Sequence, residues 1–378
     1  MQNDVGVSSG HPAAVASYVI AARELDYEPL LAPPFTERSP HFSGHFQTIT
    51  GGSKGEPKRV KRSAESWIAS FEINRSNFAT DRHSVCILGG LSHSLTTYAM
   101  FEALYLGQHA HLLYGQSPRS QADQILKYGI GLIYTTPSLL RRLLLCEQVM
   151  PSVSHVIIGG GALSFELVAR VNRLLPQAQV VQFYGSAETS FVTMSDAHTP
   201  KGSVGRAYPK VDIEIRDLGA GKPLGVGQVG LVWVKSPYLF EGYASQPSSK
   251  TLEDDDWITV GEVGMLDADL NLFLEGRLDR RVQVLDKAVN LDSLETQVQN
   301  TGLVDNIAII DVLDAGRVRL YAFYHLRSGH QVSELKQTVL DLLPDGLNIL
   351  EWHLVPADSW PYLPSGKTNL AALRQDAL

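Results

Sequence analysis

Cysteine is nearly absent from this chain: 378 residues carry two, Cys86 and Cys146. Cys86 lies in the apolar run V-C-I-L and Cys146 follows R-R-L-L-L, so both read as buried or helix-packed thiols, not as a disulfide or a metal pair. The twelve histidines form neither H-E-x-x-H nor a Cys/His zinc spacing, which removes the common zinc sites. Positive charge is in deficit. Lys and Arg number 32 against 40 Asp and Glu, a net charge of −8, and nucleic acid is excluded as a general partner because it wants a basic surface. The local exception is the cluster Lys54, Lys58, Arg59, Lys61 and Arg62, whose plain reading is a solvated basic face. No apolar run is long enough to span a bilayer, so no membrane partner is expected. The start M-Q-N-D-V-G-V-S-S-G lacks the basic leader and apolar stretch of a secretion signal, and a cytoplasmic location is the default expectation.

What is present is an ordinary globular balance, 44% apolar and 19% charged, over a length that suits two domains. Residues 13–24 read as a helix and 27–31 as a strand ended by Pro33 and Pro34. Residues 46–50 (F-Q-T-I-T) read as a strand, and helical patterning resumes over 63–70. From Ser84 strands and helices alternate. Strands are expected at 85–88, 110–113, 132–134, 153–158 and 180–183. Helices are expected at 96–106, 121–127, 138–145 and 165–175, the last capped by Ser164 and ended by Pro176. Such alternation implies an α/β fold with a mostly parallel sheet, whose ligands sit at the C-terminal strand ends. After Lys201 short glycine-punctuated strands read as a β-rich region, with 253–256 (E-D-D-D) as a solvated turn. The last hundred or so residues mix strands (307–312, 319–325, 349–355) with helices (292–298, 332–343), a small α+β domain.

Residues 50–58, T-G-G-S-K-G-E-P-K, follow a strand. A glycine-rich loop there can turn several backbone N–H groups toward one anion, and nearby lysines deepen the hollow. The alternative is a flexible basic surface turn. G-G-S-K-G within it also fits the G-x-S-x-G serine elbow, but an elbow needs a helix directly after the serine, and Pro57 with a lysine-rich continuation opposes one.

Taken together, six segments stand in one order. T-G-G-S-K-G-E-P-K resembles the phosphate loop [ST]-S-G-[ST]-T-G-x-P-K of the acyl-adenylate-forming enzymes, which include acyl-CoA synthetases, peptide-synthetase adenylation domains and luciferases. G-G-G-A-L at 159–163 is similar to their adenine-binding glycine turn, and Y-G-S-A-E at 184–188 to Y-G-x-T-E. T-V-G-E-V-G at 259–264 resembles T-G-D-x-G, G-R-L-D at 276–279 the hinge motif, and L-P-S-G-K at 363–367 the terminal lysine segment. The resemblance runs from about residue 46 to the end and implies a shortened member of that family. A nucleotide-binding domain would occupy 1–278 and a mobile domain 279–378.

The resemblance implies the following roles. Thr50, Gly51, Gly52, Ser53, Lys54, Gly55 and Lys58 would hold the β- and γ-phosphates of ATP. Gly160, Gly161, Ala162, Gln182, Tyr184, Gly185 and Ser186 would surround the adenine and its neighbours. Glu262 would accept from the ribose hydroxyls, and Arg277 would contact ribose or phosphate. Glu188 would help bind Mg²⁺, a hard cation that wants oxygen ligands. His93 would line the acid pocket, Asp279 would be the hinge, and Lys367 would bridge the carboxylate and the α-phosphate. ATP and Mg²⁺ are thus the expected cofactors, a small carboxylic acid the substrate, and CoA or a carrier-protein pantetheine the acceptor. A homodimer is compatible with the sequence but unspecified by it. Departures from the family pattern are Lys54 for threonine, Ala187 for threonine and Glu262 for aspartate. In the segment that lines the thiol tunnel, Asp286 replaces glycine and Ser293 replaces glutamate. They leave a non-catalytic nucleotide- or acyl-binding relative as the competing expectation.

Overall fold

A computed structural model describes residues 6–7, 45–50, 58–78, 84–90, 93–161, 163–219, 221–244, 251–284, 287–314, 317–363 and 367–377. The segments expected at 13–24 and 27–31 lie outside them. Five strands pair in parallel, in the spatial order His109–Leu112, Ser84–Ile87, Leu132–Thr135, His155–Ile158, Gln179–Ser186. Antiparallel strands extend both edges of this sheet.

Alternate side chains of these strands enter two different cores. Val85, Ile87, Leu132, Tyr134, Ile157 and Val181 pack with the helices Ala64–Phe78 and Ser94–Tyr105. Cys86, Leu88, Ile133, Val156 and Ile158 pack with the helices Pro118–Lys127, Pro137–Leu144 and Phe165–Leu174. A strand buried on both faces has to read as an unbroken apolar run, as V-C-I-L and L-I-Y-T do. Ser117 and Ser164 cap the helices that follow them through their hydroxyls. Cys86 is fully buried and Cys146 partly so; both are free thiols.

The β-rich region is a second sheet around the strand Gly230–Lys235, flanked by Asp212–Arg216, Trp257–Thr259 and the hairpin Glu262–Leu266/Leu272–Arg277. A third sheet joins His45–Ile49, Arg59–Ser63 and Gly242–Tyr243. Beyond residue 281 the chain builds an α+β unit. A long hairpin, Val304–Asp314 with Arg317–Leu326, takes Ile349–Leu354 in parallel on its outer side. The helices Leu291–Asn300 and Val332–Leu342 cover one face of that unit, and the other packs on Trp360, Leu370 and Leu373. Among the described residues no helix is long and apolar enough to cross a membrane.

Four local expectations are corrected. Arg59–Ser63 is a strand, and the helix expected over 63–70 runs instead over Ala64–Phe78. In the strand Val60 and Arg62 are buried while Lys61 is exposed; the strand period hides one arginine of a cluster that composition reads as solvated. The strand expected over 180–183 continues through Tyr184, Gly185 and Ser186, because a hairpin with Ser190–Met194 carries it on. A Cβ on Gly185 would stand 1.8 Å from the Ser190 carbonyl oxygen, so glycine is required for that pairing. Finally, Leu252–Asp254 is an edge strand, where Asp254 bonds Arg216 at 2.6 Å, and Asp256 bonds Lys235 at 2.9 Å.

Candidate active site

The parallel strand order reverses direction of growth between Ser84–Ile87 and Leu132–Thr135. Loops leaving two strands at such a point diverge and open a crevice at their C-terminal ends. A small cavity lies there, lined by Gly89, His93, Thr96, Tyr134, Thr136 and Leu139, among others. His93 is half-buried. Its N–H bonds Gly90 O at 3.0 Å, and its carbonyl accepts from Thr97 N at 3.0 Å, which fixes it at the start of the helix Ser94–Tyr105. Burial, with Lys367 nearby, pushes its imidazole down to about 4, so it is neutral at physiological pH.

The next strand end carries the glycine turn. Gly160 has φ +81°, and a Cβ placed on it would stand 3.6 Å from the Thr136 methyl, 3.3 Å from Lys367 Cε and 3.9 Å from Lys367 Nζ. The lysine near the C-terminus therefore reaches the mouth of the cavity, more than 200 residues away in sequence. Its loop is pinned by a bridge between Tyr362 and Thr368, by Leu363 N bonding Lys367 O at 2.8 Å, and by Trp360 Nε1 bonding Thr368 Oγ1 at 3.1 Å. Burial and the Arg277 guanidinium push the Lys367 ammonium below its ordinary range, while Glu262, Asp292 and Glu188 pull it back up. Gly161 O faces Gln182 Nε2 at 3.5 Å. The Gly159 position is closed to any side chain, since a Cβ there would lie 2.2 Å from the Phe183 ring.

Glu188 follows the Tyr184–Ser186 strand end. The Ser186 hydroxyl accepts from Glu188 N and Thr189 N, both at 3.1 Å, and Ser186 N donates to Thr189 Oγ1 at 3.0 Å. This hydroxyl-knotted turn aims the glutamate. Its carboxylate accepts from the Tyr243 hydroxyl at 2.8 Å. Tyr184 is half-buried, and burial together with Glu262 and Glu188 pushes its phenol well above the usual range, so its ring is neutral.

Glu262 stands opposite Arg277 in the hairpin that ends the second sheet. Burial pushes its carboxyl up to about 7, against the pull of Arg277 and Lys367. Arg277 is held by Asp292, through Nε and Nη2 at 3.0 Å each. Arg280, fully buried, bonds Asp292 at 2.9 Å, Ile309 O at 2.8 Å, and Glu295. Asn290 caps the helix Leu291–Asn300 and donates to Arg277 O at 2.9 Å. Gly276, at φ +122°, has no room for a Cβ beside Asn290 Oδ1 at 2.4 Å. Asp279 lies in the short 3₁₀ turn Leu278–Arg280 inside this hub. Ser293 lies on the next helix.

Gly51, Gly52, Ser53, Lys54, Gly55, Ala162 and Asp286 lie outside the described residues. The two ends of the segment 50–58 are bonded to each other: Thr50 N donates to Lys58 O at 2.9 Å, and Lys58 N to Thr50 Oγ1 at 3.0 Å. The structure thus brings together His93, Gly160, Gly161, Gln182, Tyr184, Glu188, Glu262, Arg277 and Lys367. Sequence reasoning missed Thr136, Tyr134 and Arg62. Strand alternation would have turned Arg62 inward, but nothing in a basic run marks one arginine as buried.

A family model described as AMP-binding enzyme matches residues 45–244, over half of the chain. The chain belongs to the AMP-binding enzyme family. The uncharacterized acyl-CoA ligase YhfT of Bacillus subtilis (strain 168) is 32% identical over 236 residues, 61% of this chain and 48% of that protein. The amide bond synthetase McbA from Marinactinospora thermotolerans is 26% identical, with a TM-score of 0.76 over 92% of this chain and 72% of its own. ATP-bound MatB from Rhodopseudomonas palustris, at 20% identity, shares the fold: TM-score 0.75 over 87% of this chain and 67% of its own. The chain spans about half the length of the curated relatives it matches.

The residues present fit the family's ligands. The Gly160 turn is a cradle that a Cβ would fill, beside a buried cation. Among the described residues no group of three or more His, Cys, Asp or Glu could hold a metal. A single carboxylate such as Glu188 suits Mg²⁺, which keeps its waters and takes its other ligands from substrate phosphates.

Proposed function

We propose that this chain activates a carboxylic acid with ATP to an acyl-adenylate and then transfers the acyl group to the CoA thiol, the bond from the acyl carbon to the phosphate oxygen breaking and AMP leaving. The observation that carries the proposal is Lys367 beside Gly160, at the strand ends where ligands of parallel sheets bind. A carboxylate oxygen attacks the α-phosphorus, the bond from that phosphorus to the bridging oxygen breaks, and pyrophosphate leaves. Both reactants are anions, so the enzyme's task is positioning and charge neutralisation. Lys367 bridges the carboxylate and the α-phosphate. Burial that lowers an ammonium's affinity for its proton also strengthens its attraction to an entering anion. Tyr184 stacks on adenine, Gln182 and the 160–162 turn bind its edge, and Gly185 and Ser186 support the phosphate side. Glu262 accepts from the ribose, with Arg277 beside it. Residues 50–55 and Lys58 hold the β- and γ-phosphates. Glu188 binds Mg²⁺, which when bound neutralises phosphate charge. His93, neutral and half-buried, lines the acid pocket at the crevice.

The proposed division falls at 278/279. Residues 279–378 would rotate about Asp279, withdrawing Lys367 after the first half-reaction. CoA is the proposed acceptor because a relative at 32% identity is an acyl-CoA ligase. The likeness to an amide bond synthetase supports a second reading, in which an amine takes the acyl group. Acid-dependent ATP–pyrophosphate exchange tests the first half-reaction across an acid panel. Exchange is expected to collapse in Lys367→Ala; exchange unchanged by that substitution would sink the mechanism. CoA or an amine added to a preformed adenylate then separates the two acceptors.

A further inference from the structure

The third sheet hides a charge that the proposed chemistry does not use. Arg62 is 0% exposed. Its Nε donates to Ala187 O at 3.0 Å, and its Nη1 to Tyr238 O at 2.7 Å and to Ser66 Oγ at 3.3 Å. Its guanidinium lies 5.5 Å from the Trp67 ring centre. Nη2 is buried with no hydrogen-bond partner among the described residues. A leucine or methionine would fill this space without desolvating a cation or stranding a donor. Packing alone therefore does not account for the arginine.

Its contacts converge on Glu188. Ala187 is the residue just before it. The Glu188 carbonyl accepts from Phe240 N at 2.8 Å, two residues beyond Tyr238. The Glu188 carboxylate accepts from Tyr243, which pairs with Val60 on the strand that carries Arg62. Lys58 Nζ, at the end of the phosphate loop, lies 5.6 Å from the Tyr243 ring centre. Glu188 is also the opposite charge that acts on Arg62, partly offsetting the burial that draws its guanidinium down to about 9.

We propose that Arg62 is a positioning residue for Glu188: it clamps the carbonyl just before the glutamate, at Ala187, and that of the neighbouring segment, at Tyr238, to the strand Arg59–Ser63. The carboxylate is thereby held ready for a hard divalent cation carried by a triphosphate. This rests on Glu188 serving that cation, as argued above. Loss of a residue that orients a metal ligand typically costs tenfold or more in metal affinity.

The test uses the full chain, with Mg²⁺ titrated at fixed ATP and nucleotide binding followed by calorimetry. Arg62→Met is expected to melt cooperatively and to raise the Mg²⁺ half-saturation by about tenfold or more, with Arg62→Lys falling between it and wild type. A folded Arg62→Met with unchanged Mg²⁺ half-saturation overturns the proposal. If Arg62→Met does not fold, Arg62→Lys carries the same test, since it keeps the cation and loses the two-point grip; an unchanged half-saturation again overturns it. Thermal melts of Arg62→Met, Glu188→Gln and the double variant read the coupling without any ligand. The losses are expected to be non-additive, with Glu188→Gln costing less in the Arg62→Met background than in wild type. Additive losses overturn the proposal even if no acid supports exchange, and non-additive losses without Mg²⁺–ATP binding place the failure in the reading of Glu188 as a metal ligand.

Discussion

Two buried polar clusters flank the candidate site, and they are built on opposite plans. Behind the crevice, the Glu102 carboxyl sits among neutral groups. It accepts from Asn74 Nδ2 at 2.7 Å, from Tyr98 at 3.2 Å, and from Tyr134, which lines the cavity. Ser70 and Tyr208 complete that network. At the other end, Arg277 and Arg280 face Asp292 and Glu295, two cations against two anions. The first cluster ties helices to one sheet inside a single hydrophobic core and makes a stiff wall. The second joins residues 277–280 to the helix Leu291–Asn300. Matched ions can trade partners with water or phosphate when segments move, whereas interdigitated apolar side chains cannot. The contrast places rigidity at the proposed acid end of the site and exchangeable contacts at the proposed hinge.

The largest expected effect breaks the ionic cluster. Arg280→Ala leaves Asp292 and Glu295 without their shared cation, a loss of about 3–5 kcal/mol, measurable as a lower denaturation midpoint of the full chain. A loss below about 1 kcal/mol would mean that water already balances these charges, and the contrast would fall.

The next effect concerns the neutral cluster. Glu102→Ala strands three buried donors and should cost about 3 kcal/mol, while Glu102→Gln, which keeps an acceptor, should cost about 1 kcal/mol. Glu102 and Asp292 also differ in pH sign. Burial, partly offset by its hydrogen bonds, raises the Glu102 carboxyl from an ordinary 4.5 to about 7. The folded chain then keeps a proton that the unfolded chain releases, so this contribution is full below about pH 4.5 and fades as pH rises toward 7. Asp292 behaves in reverse. Burial alone would raise it, but Arg277 and Arg280 hold it below the usual carboxylate range, so its contribution is present above about pH 4 and is lost as pH falls. Denaturation midpoints measured against pH should show a shallower upper slope in Glu102→Gln, with Glu262 and Glu295 keeping the remainder, and should lose lower slope in Asp292→Asn. Unaltered slopes in both would show that neither group controls the profile.

The smallest effect lies between the two clusters. With its carboxyl near 7, Glu262 is mostly protonated at pH 6 and mostly ionised at pH 8. Nucleotide affinity should rise about tenfold from pH 6 to pH 8, following the ionised fraction. Glu262→Gln should bind weakly and flatly across it. An equally steep profile in that variant would assign the titration to another group.

Much of the fold was legible because burial on both faces forces apolar strands, and serine caps mark helix starts. Ser84–Ile87 through Phe165–Leu174 follow that logic with shifts of a few residues. The glycines also carried information: Gly160 and Gly185 stand where a side chain has no room. Other features were not legible. Tyr184–Ser186 looked like a loop because strand continuation depends on a hairpin partner. Arg62 looked solvated because its burial depends on carbonyls 125 and 176 residues away.

The α/β alternation, the family and the order of the motifs are written in the chain, since these rest on local pattern and residue type. Which of those residues share one space emerges only on folding. Lys367 meets Gly160, Arg62 turns inward toward Glu188, and Tyr134 becomes a cavity wall backed by Glu102. Each of these depends on through-space packing and desolvation, which act between elements and leave no mark in local order along the chain.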